Sequence, residues 1–263
     1  MSGRGSLVVV LALTVLGVSG CGSDNSTSST ADPATTLVVF GASSLEPAFE
    51  AYADRFPGAE IEYSFAGSDT LAAQIQQGVK PDVYAAANTT YPDDLYKDGL
   101  LEKPTVFATN QLVLAVPADS EIDSVEGVAE PGVSVAIGAE GVPVGDYTRE
   151  VIGSLPRAEG DGILDNVASE EPDVAGIAGK LTQGAVDAGF VYISDVAASG
   201  GELRALELPA DVSPDVSYGV GVGAEAAEPA LARQFVEGLL EGAGADALTA
   251  NEFGPPPSGA AGG

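Results

Sequence analysis

Residues 60–87 read EIEYSFAGSDTLAAQIQQGVKPDVYAAA, and their pattern decides the fold class. The first six, EIEYSF, alternate polar and apolar, as a strand with one buried face does. Ala66-Gly67-Ser68 then breaks the alternation, and residues 70–78 take up helical spacing. Residues 82–87 form a second short apolar run that suits a buried strand. A strand, a helix and a strand in close succession are the repeating unit of an α/β protein.

The same alternation extends in both directions. Leu37–Phe40 reads as a buried strand, and residues 45–56 place Leu45, Ala48, Phe49, Tyr52, Ala53 and Phe56 on one helical face. Gln111–Val116 is apolar again, with Pro117 to stop it. Strands are predicted at Val133–Ile137, 188–192, 203–208 and 216–223, and helices at 145–154, 173–184 and 228–241. The last helix aligns Leu231, Phe235, Leu239 and Leu240. This series predicts mostly parallel sheets, in which ligands lie at the carboxyl ends of strands against helix N-termini.

Composition narrows the function. The chain has 263 residues, with 10 basic and 39 acidic side chains and a net charge of −29. Nucleic acid is excluded as a partner, because phosphate contacts need clustered Lys and Arg. Histidine is absent, which removes Ser-His-Asp and Cys-His catalysis. No Ser-x-x-Lys occurs either, so a secreted hydrolase is disfavoured and no enzyme is expected. A free metal ion would need a site of carboxylates alone, and none is expected. The pairs Asp93-Asp94 and Glu170-Glu171 read as solvated surface. Gly179-Lys180-Leu181-Thr182 lacks the first glycine of a P-loop, and Gly219-x-Gly221-x-x-Ala224 is a lone weak dinucleotide pattern.

The N-terminus is a targeting segment. Arg4 precedes the apolar stretch LVVVLALTVLG at residues 7–17, which is too short to span a bilayer comfortably. Val18-Ser19-Gly20-Cys21 resembles a bacterial lipobox. That resemblance implies a signal peptide at 1–20 and a lipid on Cys21, the only cysteine in the chain. Residues 21–34 are small and polar, a flexible tether. Residues 251–263, rich in Gly and Pro, read as a disordered tail.

Five segments together carry a further resemblance. They are Phe40-Gly41-Ala42-Ser43-Ser44-Leu45; Phe65-Ala66-Gly67-Ser68-Asp69-Thr70-Leu71-Ala72 with Pro81-Asp82-Val83; Asn110–Leu114; Val142-Pro143-Val144-Gly145-Asp146-Tyr147; and Asp173-Val174 with Ala188–Tyr192 and Ser194-Asp195. In order and spacing they resemble the periplasmic molybdate-binding proteins of ABC importers, over about residues 37–250. The resemblance implies a type II periplasmic-binding-protein fold, with two α/β lobes joined by crossing strands and the ligand in the cleft. Lobe 1 would comprise 35–115 and 217–250, and lobe 2 would comprise 116–216. It implies an extracytoplasmic, lipid-anchored, monomeric receptor that hands molybdate or tungstate to a membrane permease, without a cofactor. Sulfate and phosphate receptors of the same fold remain open alternatives.

The resemblance also implies ligand donors: the hydroxyls of Ser44, Ser68 and Tyr192, and the backbone N–H groups of Val144 and Val174. Independent physics agrees, because a tetrahedral oxyanion is held by converging donors that helix N-termini supply without formal charge. Alternatives stand beside each residue. Ser44 and Ser68 have the position of helix caps, and the valines and Tyr192 suit the core. Asp69 departs from the family pattern, since a carboxylate beside a dianion repels it. It is expected to face away and cap the helix at 70–78; pointing inward, it would instead accept a proton from a ligand such as hydrogen phosphate.

Overall fold

The computed structural model describes residues 35–206 and 208–257. The signal peptide, Cys21 and residues 258–263 lie outside the described residues. In chain order the elements are β1 (Thr36–Ala42), a 3-10 turn (Ser43–Leu45), α1 (Glu46–Ala53), β2 (Glu60–Ala66), α2 (Ser68–Gln76), β3 (Val83–Ala86), α3 (Thr90–Lys97), β4 (Thr105–Asn110) and β5 (Leu112–Pro117). There follow α4 (Val125–Val128), β6 (Val135–Gly138), α5 (Pro143–Ser154), α6 (Arg157–Asp165), β7 (Val167–Glu171), α7 (Val174–Thr182), β8 (Ala188–Tyr192) and α8 (Ile193–Ala198). The chain ends with β9 (Leu203–Leu206), β10 (Val216–Val222), α9 (Pro229–Leu240) and α10 (Ala243–Ala250).

Two five-stranded sheets result, in the orders β2-β1-β3-β10-β4 and β7-β6-β8-β5-β9. Within each, the consecutive β-α-β units pair in parallel, as the alternation predicts. The strands that carry the chain between sheets do not. β10 runs antiparallel to both β3 and β4, and β5 runs antiparallel to β8 and β9. The sheets are therefore mixed, because a strand entering from the other lobe comes from the opposite end. The first crossing lies between Asn110, the last residue of β4, and Leu112, the first of β5. Leu112–Ala115, assigned to lobe 1 from sequence, thus belongs to the second sheet. A continuous apolar run cannot reveal which of two sheets it joins.

The first lobe is tied across its termini by aromatic packing. Phe235 on α9 meets Phe49, Tyr52 and Phe56 at centroid distances of 5.5, 4.8 and 5.5 Å. Gly238 lets the helices approach: a Cβ there would lie 1.8 Å from the Tyr52 hydroxyl. Asp82, only 1% exposed, accepts from the Val38 N–H at 2.8 Å and the Glu228 N–H at 2.9 Å. A buried carboxylate satisfied by backbone donors welds β1 to the loop before α9.

Two sequence expectations change here. Residues 251–257 are packed rather than disordered: Phe253 is 4% exposed, and Gly254 and Thr109 exchange two backbone hydrogen bonds of 2.9 Å. The Gly-Pro composition concealed a strand-like bridge. Glu171 is not simple solvated surface either, whereas Glu170 is exposed as expected. Glu170 pairs with Arg149 at 2.8 Å, and Glu171 pairs with Lys180 at 2.7 Å with its side chain 12% exposed. The Lys180 ammonium holds the Glu171 carboxyl below its usual range.

Helix α8 starts with a bond from the Tyr192 N–H to Asp195 Oδ2 at 2.9 Å. Burial pushes the Asp195 carboxyl up to about 7; the Tyr192 bond opposes this and the Asp173 charge adds to it. The folded state therefore holds this proton more tightly than the unfolded chain. Its effect on stability is absent below about pH 4, where both states are protonated. Stability then falls as pH rises to about 7. Asp195→Asn retains an oxygen for the Tyr192 N–H and should abolish that fall. Melting curves should show the variant gaining on its parent between mildly acidic and mildly alkaline pH. A difference independent of pH would contradict this.

Candidate ligand-binding site

The carboxyl ends of the strands converge on a cavity of about 210 Å³ between the two sheets. One wall comes from the first lobe: Ser44 after β1, Ser68 after β2 and Ala87 after β3. The other comes from the second lobe: Val144 after β6, Val174 after β7 and Tyr192 at the end of β8. All five residues singled out from sequence border this one cavity. No lysine or arginine lines it.

Each position has a local reason. Ser68 is the first residue of α2, Val144 the second of α5 and Val174 the first of α7. The first four N–H groups of a helix have no intrahelical acceptor, so these backbone donors face the cavity end. Asp173 also borders the cavity; its Oδ1 is the N-cap of α7 and accepts from the Gly176 N–H at 2.9 Å. The start of α5 is pressed against β6. A Cβ on Gly145 would lie 2.2 Å from the Ala139 carbonyl, and one on Gly138 would lie 2.5 Å from the Gly145 nitrogen. Arg149 secures this turn by donating to the Gly138 and Gly145 carbonyls at 2.8 and 3.0 Å.

The serines are not helix caps. The N-cap residues of α1 and α2 are Leu45 and Gly67, and neither has a side-chain capping bond. Ser68 Oγ instead accepts from the Ala87 N–H at 3.0 Å, which leaves its own hydrogen free. Ser44 Oγ lies 2.9 Å from the Tyr218 hydroxyl. Tyr192 Oη is buried without a protein partner. An orphaned buried phenol in a polar cavity is an expensive arrangement unless something else fills it. Burial also holds the Tyr192 phenol well above its ordinary range, so it stays a donor.

Asp69 does not border the cavity. It does not cap α2 either; Oδ2 takes a long bond of 3.4 Å from Thr70, and Oδ1 is buried without a partner. Sequence reasoning gave no site role to Tyr218 and Asn110, which support Ser44 from behind, or to Ala87, whose N–H holds Ser68 at the wall. Their signals are ordinary for strand residues, and only the fold brings them to the site.

The lobes touch around the cavity. The Tyr91 hydroxyl on α3 donates to the Gly141 carbonyl in the loop before α5. Gly67 faces Pro172 so closely that a Cβ would lie 2.3 Å from the Pro172 carbonyl. Both contacts join elements of different sheets, so the cleft is closed.

Comparison with known proteins agrees with this architecture. A family model of bacterial extracellular solute-binding proteins matches residues 37–253. The molybdate-binding protein ModA of Mycobacterium tuberculosis is 36% identical over 258 residues, covering 94% of this chain and 97% of that protein. Among solved structures, the periplasmic molybdate-binding protein of Azotobacter vinelandii superposes with a TM-score of 0.74 at 21% identity, covering 84% of this chain and 99% of the other. The sulfate-binding protein SubI of Mycobacterium tuberculosis gives 0.72 at 14% identity, covering 86% and 89%. The two-lobed type II fold and the match over nearly the whole described chain place this protein in the family of bacterial extracellular solute-binding proteins.

Proposed function

We propose that the chain is the extracytoplasmic receptor of an ABC importer, and that it captures molybdate or tungstate as the dianion. The observation that carries this reading is the small closed cavity walled by Ser44, Ser68, Val144, Val174 and Tyr192, with the Tyr192 phenol unpaired. A tetrahedral dianion offers acceptors in every direction and no donor. The cavity offers hydroxyl and helix-end N–H donors, and one oxygen of its single carboxylate, Asp173 Oδ1, is taken by the cap of α7. Oriented dipoles in a dry site hold such an ion without formal positive charge. The similarity to ModA supports molybdate over sulfate. In this reading the protein is a receptor and not a catalyst, and closure of the lobes presents the loaded form to the permease.

The five named residues supply the donors. Hydrogen bonds to a charged group contribute about 1.5–3 kcal/mol each. Ser44→Ala, Ser68→Ala and Tyr192→Phe should therefore each weaken molybdate binding about tenfold or more in calorimetric titration. Unchanged affinity in the Ser44→Ala, Ser68→Ala double variant would refute the site. Gly67→Ala tests closure separately. The Gly67 backbone, at φ −58° and ψ 139°, accepts an alanine; the added methyl meets the Pro172 carbonyl across the cleft at 2.3 Å and, within its own lobe, only the end of the Asp69 side chain at 2.7 Å, which can turn aside. Affinity should fall while the melting temperature of the ligand-free protein barely moves.

Anchoring rests on Cys21. A lipid there and the tether 21–34 would keep the receptor beside its permease. Cys21→Ala should release the protein into the soluble fraction of cells. Retention of the variant in washed membranes would argue against the anchor.

A further inference from the structure

One carboxylate oxygen beside the lobe contact has no partner. Asp69 Oδ1 is buried without a hydrogen bond, and Oδ2 receives only the bond of 3.4 Å from Thr70. Asp82 shows what a buried carboxylate normally requires, since it holds the Val38 and Glu228 N–H groups at 2.8 and 2.9 Å. Asp69 instead faces an acceptor from the other lobe. A Cβ on Gly67 would lie 2.7 Å from Asp69 Oδ1 and 2.3 Å from the Pro172 carbonyl oxygen. The two oxygens therefore crowd one point, and an ionised carboxylate and a carbonyl have no hydrogen to share. Burial raises the Tyr91 phenol and the nearby Asp69 charge raises it further, yet its one hydrogen goes to the Gly141 carbonyl across the cleft.

We propose that Asp69 is a brake on closure: its carboxylate is hydrated while the lobes are apart and loses that water, unreplaced, against Pro172 when they meet. This rests on the reading of the cavity as a ligand site that two lobes close around. A buried acceptor left without a donor keeps its full desolvation cost, and here the cost falls on the closed state alone. The cavity is walled by both lobes, so a receptor that closed empty would bar its own entrance. With the brake, the closed state is reached when a bound anion adds the contacts of the second lobe to those of the first. The same cost then favours opening and shortens the life of the loaded form. An asparagine has the same shape, but its amide can donate to the Pro172 carbonyl and so turns the opposing contact into a favourable one. Asp69 does not border the cavity, so its effect on binding passes through the position of the lobes.

The test compares wild type, Asp69→Asn and Asp69→Ser, each with and without Gly67→Ala, and all carrying Cys21→Ala to remove the proposed anchor. Small-angle scattering reads how compact the ligand-free chain is, and stopped-flow tyrosine fluorescence reads the release of molybdate. Ligand-free wild type should be more open than its molybdate-loaded form. Ligand-free Asp69→Asn should shift toward the loaded compactness and release molybdate about tenfold more slowly, the equivalent of about 1.4 kcal/mol in favour of the closed state. Asp69→Ser removes the charge without supplying the amide, so it should move both readings the same way by less, and it serves if the asparagine variant folds poorly. In the Gly67→Ala background, where the methyl holds Pro172 off, both gains should disappear. A ligand-free wild type already as compact as the loaded form would overturn the proposal. So would an Asp69→Asn variant that releases molybdate as fast as wild type. A charge that merely repels the anion would change affinity and leave the ligand-free compactness unmoved, and that result also overturns it. Wild-type protein that binds neither molybdate nor tungstate would remove the functional reading itself. Normal binding with unmoved compactness in Asp69→Asn removes the brake alone.

Discussion

An anion taken out of water must be met by positive potential, and the cavity proposed to hold it is lined by no lysine or arginine to provide it. The net charge of −29 makes the requirement harder. What remains is the partial charge of helix ends and hydroxyls, which acts only at short range and only if aimed. Much of the architecture follows from that constraint. Strand ends from two sheets must point at one volume, each followed at once by a helix. The lobes must close enough to exclude water, because dipoles of this size are effective only where the dielectric is low. The single carboxylate bordering the cavity, Asp173, must be engaged elsewhere, and the Gly176 N–H engages one of its oxygens.

Closure explains residues that the ligand chemistry leaves unexplained. Gly67 sits between Ala66 and Ser68, where a turn alone would accept several residue types. The absent side chain matters because the Pro172 carbonyl of the other lobe occupies that space. Gly138 and Gly145 play a similar part within the second lobe, where they bring the start of α5 against the end of β6. Tyr91 adds a directional contact across the cleft to Gly141. Close approach of backbone to backbone is thus the common reason for glycine around this site.

Much of this was legible before any coordinates. The alternation around residues 60–87 gives β2, α2 and β3, and Ser44, Ser68, Val144, Val174 and Tyr192 do meet at one cavity. The strand and helix readings succeed because they rest on local pattern, and the five positions converge because each stands at the turn that follows a strand. The misreadings are non-local. Leu112–Ala115 looks like any buried strand, and only its pairing with β8 and β9 assigns it to the second lobe. Phe253 and Gly254 look like a tail, and only Thr109, far away in sequence, gives them a partner. Tyr218 is the instructive omission. It lies in an apolar strand with nothing to mark it, and its hydroxyl reaches Ser44 across 174 residues of chain.

The strand order of the first sheet also governs when that sheet can exist. β10 is inserted between β3 and β4, so the edge strand β4 has no neighbour until Val216–Val222 arrives. The aromatic cluster on Phe235 closes later still. A chain emerging from its N-terminus therefore cannot complete this lobe until most of its length is available, and contacts of such long sequence separation form slowly. A polypeptide that crosses a membrane as an extended thread benefits from that delay. The topology thus postpones the fold until nearly all of the chain is available.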